Sequence, residues 1–133
     1  MTAILFALTL LQGSTGMTTL DRGAMSGIDR PTQQVIRTAD QWQALWRRHE
    51  SAKPLPSVDF ASEMVLVITL GSRPSAGWDV EITGTAARGG DLVVKYVVHA
   101  PAPGQVAASV ITSPYHFVKM PKVAGQVVFE KGS

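Results

Sequence analysis

The sequence contains no cysteine, which excludes a disulfide framework, a zinc–thiolate site and a thiol nucleophile together. It also leaves nothing to carry a lipoprotein anchor. Charge is sparse as well: charged residues make up 17% and the net charge is +2. No run of Lys and Arg interleaved with aromatics occurs, so the chain does not read as a nucleic-acid-binding protein. The apolar run from Ala3 to Leu11 is too short to cross a bilayer, and no stable membrane anchor is expected. No G-x-S-x-G, H-E-x-x-H or phosphate-loop signature is present. His49, His99 and His116, with Asp59, Asp79, Glu81 and Asp91, are the acid/base candidates; no spacing among them supports a metal site, and neither catalysis nor a cofactor is expected.

What is there suits a single folded domain. At 133 residues the chain has room for one core, and 45% hydrophobic residues set it apart from a disordered segment. The first residues, 1–16, have the shape of a secretory apolar region followed by small and polar residues, although no Lys or Arg precedes Ala3. They favour export to a periplasmic or extracellular location, with a cytoplasmic protein as the alternative. Residues 17–27 read as a linker, with one short strand at about Met17 to Leu20, and the ordered domain is expected over 28–133.

After a short strand at QQVIRT (Gln33 to Thr38), Thr38-Ala39-Asp40-Gln41 has the form of a capping box, so a helix starts there. Trp42, Leu45, Trp46 and His49 fall at i, i+3, i+4 and i+7, giving one apolar, aromatic face. At that spacing the tryptophans are core anchors, and Pro54 and Pro56 stop the helix. The period then changes. EMVLVITL is apolar on both faces, as in a central strand covered on both sides, whereas WDVEI alternates as a half-buried strand does. LVVKYVVH, QVAASVI, YHFVKM and QVVFEK complete six strands separated by Gly- and Pro-bearing turns. The pattern predicts a mainly β fold, an antiparallel β-sandwich or partly open barrel, with one amphipathic helix packed on it. QVVFEK and QQVIRT are the expected sheet edges, where a partner strand could add; the pattern fits a monomer and a dimer equally.

If consecutive strands pair antiparallel, the connections SRPSAG, APAPG and PKVAG share one end of the sandwich while TAARGGD and TSP share the other. Proline lowers a loop's freedom before binding and glycine allows close backbone approach, so such loops suit recognition of another protein. The candidate partner-binding residues are Arg73, Pro74, Ser75, Ala76, Gly77 and Trp78 in the first loop, Ala102, Pro103 and Gly104 in the second, and Pro121 and Lys122 in the third. Arg73 and Trp78 are frequent hot-spot types. Trp78 also shares the face of Val80 and Ile82, which favours a place in the core. A second reading is a small-ligand-binding β domain, with a concave apolar pocket and convergent polar groups from Tyr96, Tyr115 or His116.

The ordered set "GSRPSAGWDVEI", "PAPG" and "TSPYHFVKMPK", preceded by "WQALWRRH" and "VDF", resembles the C-terminal domain of the protease complex subunit family called PrcB, over about Gln33 to Phe129. The resemblance implies a non-enzymatic bacterial domain whose founding member assists and stabilises a secreted subtilisin-like protease within a complex. Family members commonly carry a glycine and a tyrosine where this chain has Gly77 and Trp78. A looser similarity links Arg73-Pro74-Ser75-Ala76-Gly77-Trp78 to the first binding loop of chagasin-like protease inhibitors, which also places Pro, Gly and an aromatic in that order. The asparagine and threonines of that loop are missing here, and Met120-Pro121-Lys122 does not match the inhibitors' third-loop Arg-Pro-Trp.

Overall fold

The computed structural model describes residues 16–132. Apart from Gly16, the signal-like segment lies outside the described residues. Seven strands and one helix follow in the order β1 (Thr18–Gly23), β2 (Pro31–Ile36), α1 (Ala39–His49), β3 (Glu63–Leu70), β4 (Asp79–Arg88), β5 (Asp91–His99), β6 (Tyr115–Pro121) and β7 (Val127–Lys131). They form a four-stranded sheet ordered β1-β6-β3-β2 and a three-stranded sheet ordered β4-β5-β7. The fold is therefore a mainly β sandwich with one helix, and no closed barrel forms among the described residues.

The helix begins and ends for local reasons. Thr38 Oγ1 accepts the Gln41 N–H at 3.2 Å, while the Gln41 side chain reaches back to the Arg37 N–H at 3.1 Å, one residue further than the usual reciprocal cap. At the other end Glu50 adopts a left-handed conformation (φ 57°) and returns its N–H to the Trp46 and Arg47 carbonyls. The buried stripe is Trp42, Leu45, Trp46 and His49, as the 3.6-residue period requires.

The stripe packs on the outer face of the four-stranded sheet. Because side chains alternate along a strand, β3 sends Val65 and Val67 to the helix and Met64, Leu66, Ile68 and Leu70 to the second sheet. The molecule thus has three layers, helix, sheet and sheet, with two apolar clusters that share β3 and β6. EMVLVITL is covered on both faces, as its composition indicates.

Three features depart from the sequence reading. Thr18–Gly23 lies within the expected linker, yet it forms a full edge strand paired with β6. Gly27 seats this segment on the helix C-terminus by donating to the His49 carbonyl at 2.9 Å; a Cβ there would lie 2.6 Å from the Arg48 carbonyl oxygen. QVAASVI is not a strand: residues 105–111 form no ladder. Finally, the last strand does not pair with β6. It crosses to the second sheet and runs parallel to β5.

Candidate functional site

The loss of QVAASVI as a strand decides which loops meet. One fewer traverse of the sheet inverts the parity of every later connection. β6 therefore starts beside the end of β3, with Tyr115 opposite Thr69, and finishes with Pro121 opposite Glu63. The end that holds Gly71–Trp78 consequently also holds residues 100–114, including Thr112-Ser113-Pro114. PKVAG lies at the opposite end, where Lys122 Nζ donates to the Phe60 carbonyl at 2.8 Å and Arg37 donates to the Val123 and Gly125 carbonyls. Pro121 and Lys122 are thereby separated from the other candidate residues, and the three-loop end of a chagasin-like inhibitor is not reproduced.

The loop Gly71–Trp78 is sewn to its neighbour by backbone bonds. Arg73 exchanges both bonds with Thr112, at 2.7 and 2.9 Å. The Ala76 N–H reaches the Ala108 carbonyl at 3.0 Å, and Thr112 Oγ1 donates to the Ser75 carbonyl at 2.9 Å. Gly77 has φ 95° and packs on Pro101, whose Cγ would be 2.9 Å from a Cβ; a glycine is needed for both reasons. This contact brings Ala102, Pro103 and Gly104 beside the first loop. The Arg73 guanidinium carbon sits 4.9 Å from the Trp78 ring centroid. Trp78 itself is half-buried and joins neither apolar cluster. The alternation that placed it in the core begins one residue after it, because β4 starts at Asp79.

These bonds hold an apolar segment in the open. Val106 is 96% exposed and Ile111 69% exposed, with Val110 nearby in sequence and also exposed. Met25, 65% exposed, is bridged to Ser113 and so adds to the same end.

The proposed ligand residues do not converge. Tyr115 and His116 are adjacent on β6 and therefore point to opposite faces. Tyr115 joins the helix-side cluster; burial pushes its hydroxyl pKa up, and the neighbouring Asp21 carboxylate adds to the effect. His116 lies between the sheets and is buried. Its Nδ1 accepts the Ile82 N–H at 2.9 Å, next to the bulge in β4. Nε2 therefore carries the proton and faces Thr19 Oγ1 at 2.9 Å. Only Tyr96 lines a cleft, of about 380 Å³, together with Arg73.

Burial lowers the His116 pKa from 6.5 to about 4; Arg22 acts in the same direction, while Glu81 and Asp79 oppose it. The unfolded chain thus takes up a proton near pH 6.5 that the folded chain refuses, so stability is complete above that pH and falls as pH drops towards 4. At about 1.4 kcal/mol per unit the loss reaches about 3 kcal/mol. Urea unfolding at pH 7 and pH 4.5 should show it, and His116→Asn should remove most of the difference. An unchanged pH dependence in that variant would contradict the assignment.

One constellation was not visible in the sequence. Asp21 from β1, His49 from α1 and Ser26 from the intervening turn form a chain: His49 Nε2 to Asp21 Oδ2 at 2.9 Å and Ser26 Oγ to His49 Nδ1 at 2.8 Å. Lys53 Nζ adds an ion pair to Asp21 Oδ1 at 2.8 Å. Burial raises the Asp21 pKa, but Lys53, His49 and Tyr115 outweigh it and hold the carboxyl below its ordinary value. These residue types match a hydrolytic triad, so the remaining requirements matter. Ser26 Oγ already accepts the Ile28 N–H at 3.0 Å. The backbone N–H groups of Ser26 and Gly27, which would have to face an oxyanion, bond instead to the Ser113 and His49 carbonyls. The chain is a structural lock that joins β1, α1 and β6. Its only sequence signal was His49 closing an apolar stripe.

Comparison with protein-family models matches residues 64–121 to the family described as PrcB C-terminal. That span runs from β3 through β6 and contains the sewn loops, but leaves out β1, β2, α1 and β7. Comparisons with curated proteins and with solved structures return no match.

Proposed function

We propose that this chain is a non-enzymatic protein-binding domain of a protease-associated complex, docking through the end of the sandwich where Gly71–Trp78 meets residues 100–114. The observation that carries the reading is the exposed apolar set Val106, Val110, Ile111 and Met25, held on segments already ordered by their own backbone bonds. Large exposed apolar side chains grouped on one face mark interaction surfaces, and prior ordering lowers the cost of binding. Arg73 stacked on Trp78 supplies a charged, aromatic anchor at the border of the patch.

The PrcB C-terminal match, which spans both docking segments, supports a protease as the partner. The finer reading is a subunit or stabiliser of an exported protease, with the domain itself in a periplasmic or extracellular compartment. A protein that stabilises rather than cleaves needs no nucleophile, consistent with a Ser26 whose neighbouring N–H groups are occupied.

The test immobilises the full chain, beside an Arg73→Ala/Ile111→Ser variant, and exposes both to secreted and envelope fractions of the source cells. Ile111 is exposed and Arg73 half-buried, so the pair of changes should lower stability by no more than about 2 kcal/mol. Capture of a protease by the wild type, with affinity more than tenfold weaker for the variant, is expected. Equal capture by both would remove this end of the molecule from the account.

A further inference from the structure

The cleft beside Arg73 has a composition that the docking surface alone does not require. It opens between the free edge of β2 and the second sheet. Its apolar lining comes from Ile68, Leu70 and Val98, and its polar groups from Thr32, Gln33 and Tyr96. Both charged side chains that line it, Arg73 and Lys131, are positive. Arg73 comes from the loop between β3 and β4 and Lys131 from β7, whose parallel pairing with β5 places Lys131 opposite Tyr96. Among the described residues no acidic side chain lines the cleft to offset them. The Gln33 amide donates to the Tyr96 hydroxyl at 2.8 Å and ties the two sheets together across the opening.

Arg73 gives a second observation. Its Nε is buried and has no hydrogen-bond partner among the described residues, although buried donors are nearly always satisfied. The backbone of Arg73 is pinned on both sides by Thr112, and its guanidinium rests 4.9 Å from the Trp78 ring centroid. A carboxylate is the acceptor that fits a guanidinium, meeting the terminal N–H groups first and taking Nε–H as a bidentate pair once the side chain turns towards it.

We infer that this cleft receives the chain-terminal carboxylate of an extended peptide with an apolar last residue. The carboxylate sits on Arg73, with Lys131 adding charge from β7. The terminal side chain rests on Ile68, Leu70 and Val98. The preceding backbone runs along β2, whose outer edge has no strand partner among the described residues, so it can form main-chain bonds in the manner of an added strand. The cleft volume of about 380 Å³ lies at the small end of ligand sites, which suits a terminal residue better than a large cofactor. The inference rests on the protein-binding reading and names the group on the partner that is recognised.

The experiment titrates the full-length chain with acetyl-Ala-Val-Leu bearing a free carboxylate, with its C-terminal amide, and with isovalerate, following backbone and side-chain NMR shifts. The free-acid peptide is expected to shift Gln33, Arg73 and Tyr96 and to bind at least tenfold more tightly than the amide. Arg73→Gln should abolish that preference. Lys131→Gln, a change at an exposed position, should weaken free-acid binding several-fold and flatten its salt dependence. Equal binding of acid and amide, or shifts confined to other regions, would overturn the inference, and equal affinity for isovalerate would overturn the assignment to a chain terminus. Failure here with protease capture intact would leave the docking surface standing and remove only the carboxylate.

Discussion

Asp21→Ala is expected to lower the stability of the domain by about 3 kcal/mol, the upper range for leaving a buried donor without its charged acceptor. The reason lies in what remains. His49 is 2% exposed and is walled by Tyr115, Phe117 and Trp46, with ring centroids 4.4 to 5.0 Å away. With the carboxylate gone, its Nε2–H has no acceptor and no route to water. The Arg22 N–H also loses its bond to Asp21 Oδ1, at the point where the β1–β6 register shifts. Lys53, largely exposed, can return to solvent at little cost, so the penalty belongs to His49 and β1.

Ser26→Ala should cost less, about 1–2 kcal/mol, because it removes a neutral bond to Nδ1 and the support for the Ile28 N–H. Urea unfolding of the three proteins at pH 7 checks the order. A cost for Asp21→Ala below about 1 kcal/mol would mean that the network is dispensable and that β1 is held by its ladder alone.

Trp42→Ala is expected to be as severe, at about 3–5 kcal/mol. Trp42 is among the largest fully buried side chains; its ring meets Phe117 edge-on at 6.1 Å and Trp46 at 5.5 Å. Its Nε1–H also donates to the Pro56 carbonyl at 3.0 Å, so truncation opens a cavity and releases the chain that follows the helix. Trp42→Phe should fall between wild type and alanine, since it keeps most of the volume and loses the hydrogen bond. Trp78→Ala makes the informative contrast. That ring is half-buried and its defined contact is with Arg73, which supports an effect of about 1 kcal/mol or less. Thermal melts of the three variants would separate anchor from border, and comparable losses at Trp42 and Trp78 would refute the division.

The elements that could be read from residue order are those governed by short-range rules. A capping box and four residues at helical spacing located α1 and its buried face, because an orphan N–H needs an acceptor within a few residues. The double-faced apolar run of EMVLVITL marked a strand with cover on both sides, since strand alternation is a local property. Pro74 and Gly77 marked a constrained turn, and the structure shows the constraint as a positive φ held against Pro101.

Pairing partners are a different matter. β1 was read largely as linker because TTLDRG has weak periodicity; its strand character comes from β6, nearly a hundred residues away, and from the burial of Asp21. QVAASVI has the composition of a strand but finds no ladder, and removing that one traverse exchanged PKVAG for Thr112-Ser113-Pro114 at the end that holds Gly71–Trp78. Likewise Asp21, Ser26 and His49 are unremarkable in order and become a buried lock only when helix and edge strand meet. Faces follow from the period of the chain, which each segment carries within itself; neighbours follow from which distant segments bury the most surface together, and that is settled only when the whole core closes.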